Sequence, residues 1–275
     1  NAHNGYGDFT DLEQATVDDC AAFFDSFYAP SNAVLTVAGD IDVDHTIELI
    51  HKHFDDVPAR EVPERPSFAE PFPTSEQRGK HVDPHAPLPA VALGYRLPDP
   101  VGELKAYLAN VVLAAVLSDG DASRLQQRLV HQGSLVVDVH ASCGLMGAPL
   151  DARDPDTFTI TAIHSPEVEC ERVVSAVDEE LEKLATDGPS TEELTRVTAR
   201  WAATLHREHD RVLSRTLDLG SAELLHGRAE LVAELPRLIS EVGVEEVASA
   251  AKALRSDARA MLEVEPANNS TGGAA

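Results

Sequence analysis

Cysteine is scarce in this chain: Cys20, Cys143 and Cys170 are the only three in 275 residues, far apart and without a Cys-x-x-Cys pair. A disulfide framework and a zinc knuckle are thereby excluded, and the three read as small core hydrophobes. Basic residues are also short, with 22 Lys and Arg against 47 Asp and Glu and a formal net charge of −25. So acidic a chain repels phosphate backbones and anionic headgroups, which excludes nucleic acid and membrane surfaces as partners. No apolar run approaches the roughly 18 residues that would span a bilayer. Gly120 stands without the glycine set that cradles a phosphate. The chain opens Asn1-Ala2-His3 with no methionine, and Asn1-Ala2 reads as a cloning remnant, so the native N-terminus is expected to be missing. A signal peptide is then not visible either way, and the low cysteine count leans towards the cytoplasm.

What remains is an ordinary globular composition, 43% hydrophobic and 25% charged, with length for about two domains. Thr16 is a helix N-cap with Asp18 and Asp19 in the first turn, and Cys20, Phe23, Phe24 and Phe27 follow at helical spacing until Pro30. Ala33–Ala38 predicts a buried strand, apolar on both faces through Val34, Leu35 and Val37. Val43, Ile47, Ile50 and Phe54 give a helix after Asp42. Helix, strand and helix are too little for a core, so 1–54 reads as the end of a domain. Its strand should expose an unpaired edge that pairs with another chain or folds back onto 80–265. Residues 55–79 hold Pro58, Pro63, Pro66, Pro71 and Pro73 and read as a stiff linker.

Residues 80–266 read as a complete α+β unit. Strands are expected at 81–85, 91–96, 135–139, 157–162 and 258–264. Helices are expected around Leu104–Val116 and Leu125–Val130, from Ser165-Pro166-Glu167 to Gly188, and from a Ser190–Glu193 capping box onward. Two or three more fill roughly 205–254, and the tail 267–275 should be disordered.

Several residues tempt a catalytic assignment. His206 and His209 flank Arg207-Glu208, but one helix face needs histidines four apart to share a metal, and these are three apart. His51 and His53 point about 200° apart around a helix, while His81 and His85 are separated by Pro84. Solvated histidines fit all of these better than ligands. Ser123-Arg124 lies near His131 and His140 in sequence, yet no Gly-x-Ser-x-Gly elbow surrounds the serine. No catalytic centre is visible.

The run Leu12-x-x-Ala15-Thr16-x-Asp18-Asp19-x-x-x-Phe23-Phe24-x-x-Phe27-Tyr28-x-Pro30-x-Asn32-Ala33-Val34-Leu35-x-Val37-Ala38-Gly39-Asp40-Ile41-Asp42 resembles the end of the first domain in the M16 (pitrilysin, insulinase and mitochondrial processing peptidase) family of zinc metallopeptidases. Leu88–Arg96, Leu117–Gly120 and Ser123-Arg124-Leu125-x-Gln127-x-Leu129 are similar to its C-terminal, inactive domain. The resemblance covers roughly residues 9–266. It implies M16-type α/β rolls: mostly antiparallel sheets with helices on one side, here one complete roll preceded by the end of another. It also implies zinc in the intact parent, held by a His-x-x-Glu-His motif and a distal Glu, whose motif Glu activates water for peptide hydrolysis. That motif is absent here, so no catalytic or metal residue carries over and no cofactor is expected in this chain. Some relatives supply an Arg and, seven residues later, a Tyr that position substrate. Aligning Ser123-Arg124-Leu125 without gaps puts those positions at Val130 and Val137, both apolar. The resemblance further implies a peptide or protein substrate for the parent, a chamber enclosed by this part, and a homo- or hetero-dimer with an M16-like chain. The rival readings are a non-catalytic scaffold or partner subunit of the core-protein type, and an acidic protein-interaction module.

Overall fold

Asp8 starts helix α1 (Phe9–Gln14), its carboxylate accepting the Thr10 amide at 2.7 Å. Helix α2 (Val17–Phe27) begins with a full capping box, Thr16 Oγ1 accepting from the Asp19 amide and the Asp19 carboxylate from the Thr16 amide. Helix α3 (Val43–Phe54) is capped by Asp42, which takes the His45 amide at 2.9 Å. The sequence gives no periodic signal for α1, a single capped turn and a half. In this computed structural model, which describes residues 7–67, 71–144 and 148–267, the chain clusters into two units. One is Asn1–Ser67 with Val212–Ala229, the other Phe68–Arg211 with Glu230–Ala275.

In the first unit the strand expected at Ala33–Ala38 does not form. The backbone leaves the Pro30–Asn32 turn extended, with Ala33 at φ −126° and ψ 148°, but a strand needs a neighbour to bond to. Among the described residues no backbone hydrogen bond engages 34–38. Extended geometry came from local sequence, and the ladder did not because no partner strand is there. The helix Val212–His226 joins this unit although the sequence groups it with the second, and its Gly220 lies against this segment. A Cβ there would meet Thr36 Oγ1 at 3.0 Å.

The second unit is built on five strands: β1 (Gln77–Asp83), β2 (Ala90–Arg96), β3 (Val136–Cys143), β4 (Thr157–His164) and β5 (Ala260–Pro266), in the order β1-β5-β2-β4-β3. Only β1–β5 is parallel. Val91, Leu93, Tyr95, Phe158, Ile160 and Met261 point from one face into the core, and helices cover that face. Helix α4 (Leu104–Ser118) is buried on every side from Tyr107 to Leu117, as a helix apolar all round must be. It packs on β3 and against α6 (Thr191–His209), α8 (Leu231–Ser240) and α9 (Val244–Ala253), while α5 (Cys170–Asp187) packs on α9. The remaining helix, α7, is the Val212–His226 segment of the first unit. The α+β roll with helices on one face of a mainly antiparallel sheet is the architecture expected.

Boundaries differ in instructive places. Strand β1 begins at Gln77, inside the stretch read as linker, and ends at Asp83 rather than His85; residues 74–83 hold no proline, so β5 can pair with them. Ser165-Pro166-Glu167 makes a turn and α5 starts only at Cys170. The Ser165 hydroxyl bonds the Glu167 carboxylate, and its carbonyl accepts from the Val168 amide at 3.0 Å, which satisfies the turn locally. Gln126–Gln132 is a π-helix rather than an α-helix. It ends at Gly133 and at Ser134, whose φ is +47°, and Leu135 folds back to bond Leu129 O at 2.8 Å. The tail expected to be disordered begins with Ala267, whose amide bonds Asp83 O at 3.1 Å; residues 268–275 lie outside the described residues.

The outer edge of β3 is occupied. Ser118 Oγ, at the end of α4, accepts the Ala141 amide at 2.8 Å and reaches the Ala141 carbonyl at 3.1 Å. Gln126 Nε2 donates to the Val139 carbonyl at 3.0 Å.

Candidate functional site

The motif Ser123-Arg124-Leu125 sits between α4 and the π-helix, and each residue has a structural assignment. Leu125 is fully buried. Arg124 makes a two-pronged pair with Glu193, Nε to Oε1 at 2.6 Å and Nη2 to Oε2 at 2.8 Å. Glu193 is also the reciprocal member of the α6 capping box, accepting the Ser190 amide at 2.8 Å. The Arg124 hydrogen bonds hold its carboxyl down at about 2, against partial burial and with help from Ser190. The motif therefore ties the π-helix to the start of α6. Ser123 is completely buried, and its Oγ finds no hydrogen-bond partner. His131 and His140 are exposed, so the chain assembles no serine–histidine pair here.

Val130 and Val137, which the resemblance led us to expect where some relatives carry Arg and Tyr, sit on backbone irregularities. Val130 is on the π-helix and packs partly on the core. Val137 lies at the bulge between Val136 and Asp138 and is 60% exposed. Bulges re-aim a side chain, and here both aimed side chains are apolar. Neither can hold a proton or a carbonyl oxygen.

The histidines stay apart. His206 is exposed on α6 and His209 half-buried one turn on. His51 pairs through Nδ1 with Asp55 at 3.0 Å, and His53, His81 and His85 are exposed. Among the described residues no three His, Cys, Asp or Glu side chains converge to hold a metal ion. The cysteines only partly fit the reading as core hydrophobes. Cys143 is buried and its thiol pushed up by burial to about 12, Cys170 is half-buried and raised to about 11 chiefly by burial, and Cys20 is exposed on α2. The first two are protonated and inert at neutral pH. Gly120 serves a turn at φ +81° beside the Arg200 guanidinium.

Sequence reasoning missed the strongest electrostatic cluster. Arg259 is 2% exposed at the start of β5. Its guanidinium reaches Asp178 on α5 at 2.5 and 3.2 Å, Tyr95 Oη on β2 at 3.1 Å and Glu76 before β1 at 2.9 Å. Burial works against the Arg259 charge, but these partners outweigh it, and burial pushes the Tyr95 hydroxyl up to about 12. The four residues are spread over nearly the whole second unit, so no local pattern announces them. The network bolts strands to α5.

A protein with such a site is a helix-backed sheet domain whose charged clusters tie its elements together, with no three-residue metal-ligand group among its described residues. The chain belongs to the M16 peptidase family: residues 14–200 match the family described as "Peptidase M16 inactive domain". It is 27% identical over 181 residues to the zinc protease PqqE of Helicobacter pylori, a match covering 65% of this chain and 39% of that one. The chain spans about half the length of the curated relatives it matches, the matched stretches covering 39% to 50% of them. Its fold is that of a crystallised peptidase M16 inactive domain from Pseudomonas fluorescens, with TM-score 0.80 at 19% identity, over 97% of this chain and 61% of that one. It is also that of the first half of the periplasmic protease PqqL from Escherichia coli, with TM-score 0.71 at 20% identity, over 95% and 57%.

Proposed function

We propose that this chain is the non-catalytic part of an M16-type zinc metalloendopeptidase. In this reading another part of the longer protein carries His-x-x-Glu-His, holds the zinc and hydrolyses peptide bonds, and this part encloses the substrate chamber and supports dimerisation with an M16-like chain. Residues 1–54 would be the end of a first M16 domain, 55–79 a linker, and 80–266 the second domain. The observation that carries the reading is the inactive-domain match over residues 14–200. The described residues do not fit a zinc ion, since no ligand group converges, so no step of hydrolysis is assigned to them. No described helix is long and apolar enough to cross a membrane. Cytoplasmic residence belongs to the proposal, beside a similar protein called periplasmic.

A second reading is a scaffold or partner subunit without any peptidase activity. The apolar Val130 and Val137, where some relatives position substrate, favour it. Metal analysis and fluorogenic-peptide assays separate the readings. The purified chain should hold no stoichiometric zinc and cleave nothing alone. The longer protein should bind one zinc and cleave peptides if the first reading is right, and do neither under the second. One tightly held zinc in this chain after dialysis would defeat both and return attention to His206 and His209.

A further inference from the structure

Arg96 ends β2 on the side of the sheet away from the core, and its charge is unmet. Val91, Leu93 and Tyr95 take the core side of this strand, so Ala92, Gly94 and Arg96 take the other. The register sets Thr157 across from Arg96 and Thr159 across from Gly94, with Ala260 on the other flank of Gly94. A Cβ at Gly94 would meet Thr157 Cγ2 at 3.5 Å and Ala260 Cβ at 3.9 Å, and Thr159 shares a hydroxyl hydrogen bond of 2.7 Å with Ser142. The floor beside Arg96 is thus low, uncharged and hydroxyl-bearing. Over the guanidinium lies the Phe72 ring, its centroid 4.1 Å from Arg96 Cζ, on a backbone restricted by Pro71 and Pro73. In a chain with 47 Asp and Glu, Arg96 has no ion pair among the described residues, and its buried Nε has no hydrogen-bond partner. Arg128 Nε is also unpartnered, but there Glu179 meets the charge at 2.8 Å.

From this we infer that Arg96 binds a carboxylate, and that a peptide presents it. A planar guanidinium matches a carboxylate two bonds to two, and a stacked aromatic ring holds the fork in one plane while leaving its donors free. A carboxylate oxygen on the Nε edge would give that donor the acceptor it lacks, a lack that buried polar groups seldom carry. Gly94 and Ala260 let a main chain pass close beside the fork, and the Thr157 hydroxyl stands next to it. Phe72 is a positioning residue here, since it orients the fork and leaves the carboxylate to Arg96. Val130 and Val137 lie on the π-helix and β3, so this is a separate position. The net charge of −25 opposes an anion at long range, but at ~0.15 M salt it is screened beyond about 8 Å, and the fork acts at contact.

That the ligand is a peptide rests on the peptidase reading proposed above; that it is a carboxylate rests on Arg96. The test reads Arg96 itself and neither zinc nor cleavage, so the two fail separately. The probes are N-acetyl tetra-alanine with a free C-terminal carboxylate, its C-terminal amide, and that amide with one alanine replaced by glutamate. Each is titrated into the whole chain to ~10 mM at ~0.15 M salt. Proton–nitrogen NMR follows the Arg96 Nε–H resonance, assigned by its loss in Arg96→Gln. A carboxylate peptide should shift it saturably, the first if a chain terminus is the source and the third if an acidic side chain is, and the neutral amide should not. Read from the Thr157 and Thr159 amides, Arg96→Gln should weaken binding about tenfold or more, and Phe72→Ala about threefold. Trp201 fluorescence on unfolding certifies the variants, and the wild-type titration decides even if Arg96→Gln fails to fold. The inference is overturned if neither carboxylate peptide moves the resonance, if the amide moves it equally, or if a folded Arg96→Gln binds as wild type does. It is overturned too if the Arg96 Nε–H exchanges as freely as that of an exposed arginine, which would mean that water already serves it.

Discussion

Replacing Glu193 by Gln isolates the charge that the Ser123-Arg124-Leu125 motif exists to hold. The amide oxygen of Gln can still accept the Ser190 amide, so the cap survives and only the ion pair is lost. The Arg124 and Glu193 side chains are 27% and 21% exposed, buried enough for the pair to matter. A carboxyl lowered from 4.5 to about 2 corresponds to about 3 kcal/mol of coupling to folding at neutral pH, at roughly 1.4 kcal/mol per unit. Because the folded value is the depressed one, that stabilisation is complete above the unfolded carboxyl's titration and is lost as pH falls from about 4.5 towards 2. Solvent reaching the pair lowers the expected loss in Glu193→Gln to about 2 kcal/mol at pH 7. The lone tryptophan, Trp201, lies on the same helix and packs against the core, so its fluorescence in a urea titration reports this unit. The gap between wild type and Glu193→Gln should shrink by at least half between pH 7 and pH 3. A loss under about 0.5 kcal/mol at pH 7, or a gap that stays constant down to pH 3, would refute the assignment of Arg124 as a buried tie. Glu193→Ala should cost about 1 kcal/mol more, since it also removes the reciprocal bond of the capping box to the Ser190 amide.

Arg259→Met strands Asp178, Tyr95 and Glu76 around an apolar side chain and should destabilise the second unit by about 3 kcal/mol or more in the same titration; a near-neutral result would mean water already serves those groups. Ser123→Ala should be neutral or slightly stabilising, because the buried hydroxyl has no partner to lose, and a loss above about 1 kcal/mol would reveal a bond to Oγ. Leu113→Ala, at the fully buried centre of α4, should cost about 2–5 kcal/mol by thermal or urea unfolding, and a smaller loss would show that the helix layers close over the cavity. Trypsin should cut at Arg60, in the exposed stretch 55–67, before Arg196 within α6, and the reverse order on a mass-spectrometric time course would show that the stretch is protected.

Capping chemistry was legible in the sequence because it is local. Thr16 with Asp19, Asp42, and Ser190 with Glu193 all start the helices they were expected to start. So was the sheet of the second unit, whose strands alternate over a face that is buried in the structure. Tertiary partners were not legible. Val34–Ala38 has every local mark of a strand and no ladder, since the neighbour that makes a strand is not encoded locally. Gln77–Gly79 looked like the end of a linker and pairs with β5, nearly two hundred residues on. The π-helix hides because its residues have ordinary helical character. Arg259 could not be found, because its partners come from three separate elements.

The side chains along β3 set a limit on how large any assembly can grow. Open-ended stacking requires two complementary docking edges on every molecule. Ser118 and Gln126 fill the outward hydrogen-bonding groups of Ala141 and Val139, so an incoming strand finds no template on that side. At the far side β1 carries Arg78 and Lys80, charges that deter a stranger's backbone and are tied to Glu171, Glu263 and Glu265. A chain with so much bare apolar surface in its first unit would be a candidate for fibres if either edge were free. With both hemmed, the sheet of the second unit offers no template for strand-by-strand growth, and concentrated solutions should stay clear where an unhemmed sheet would gel.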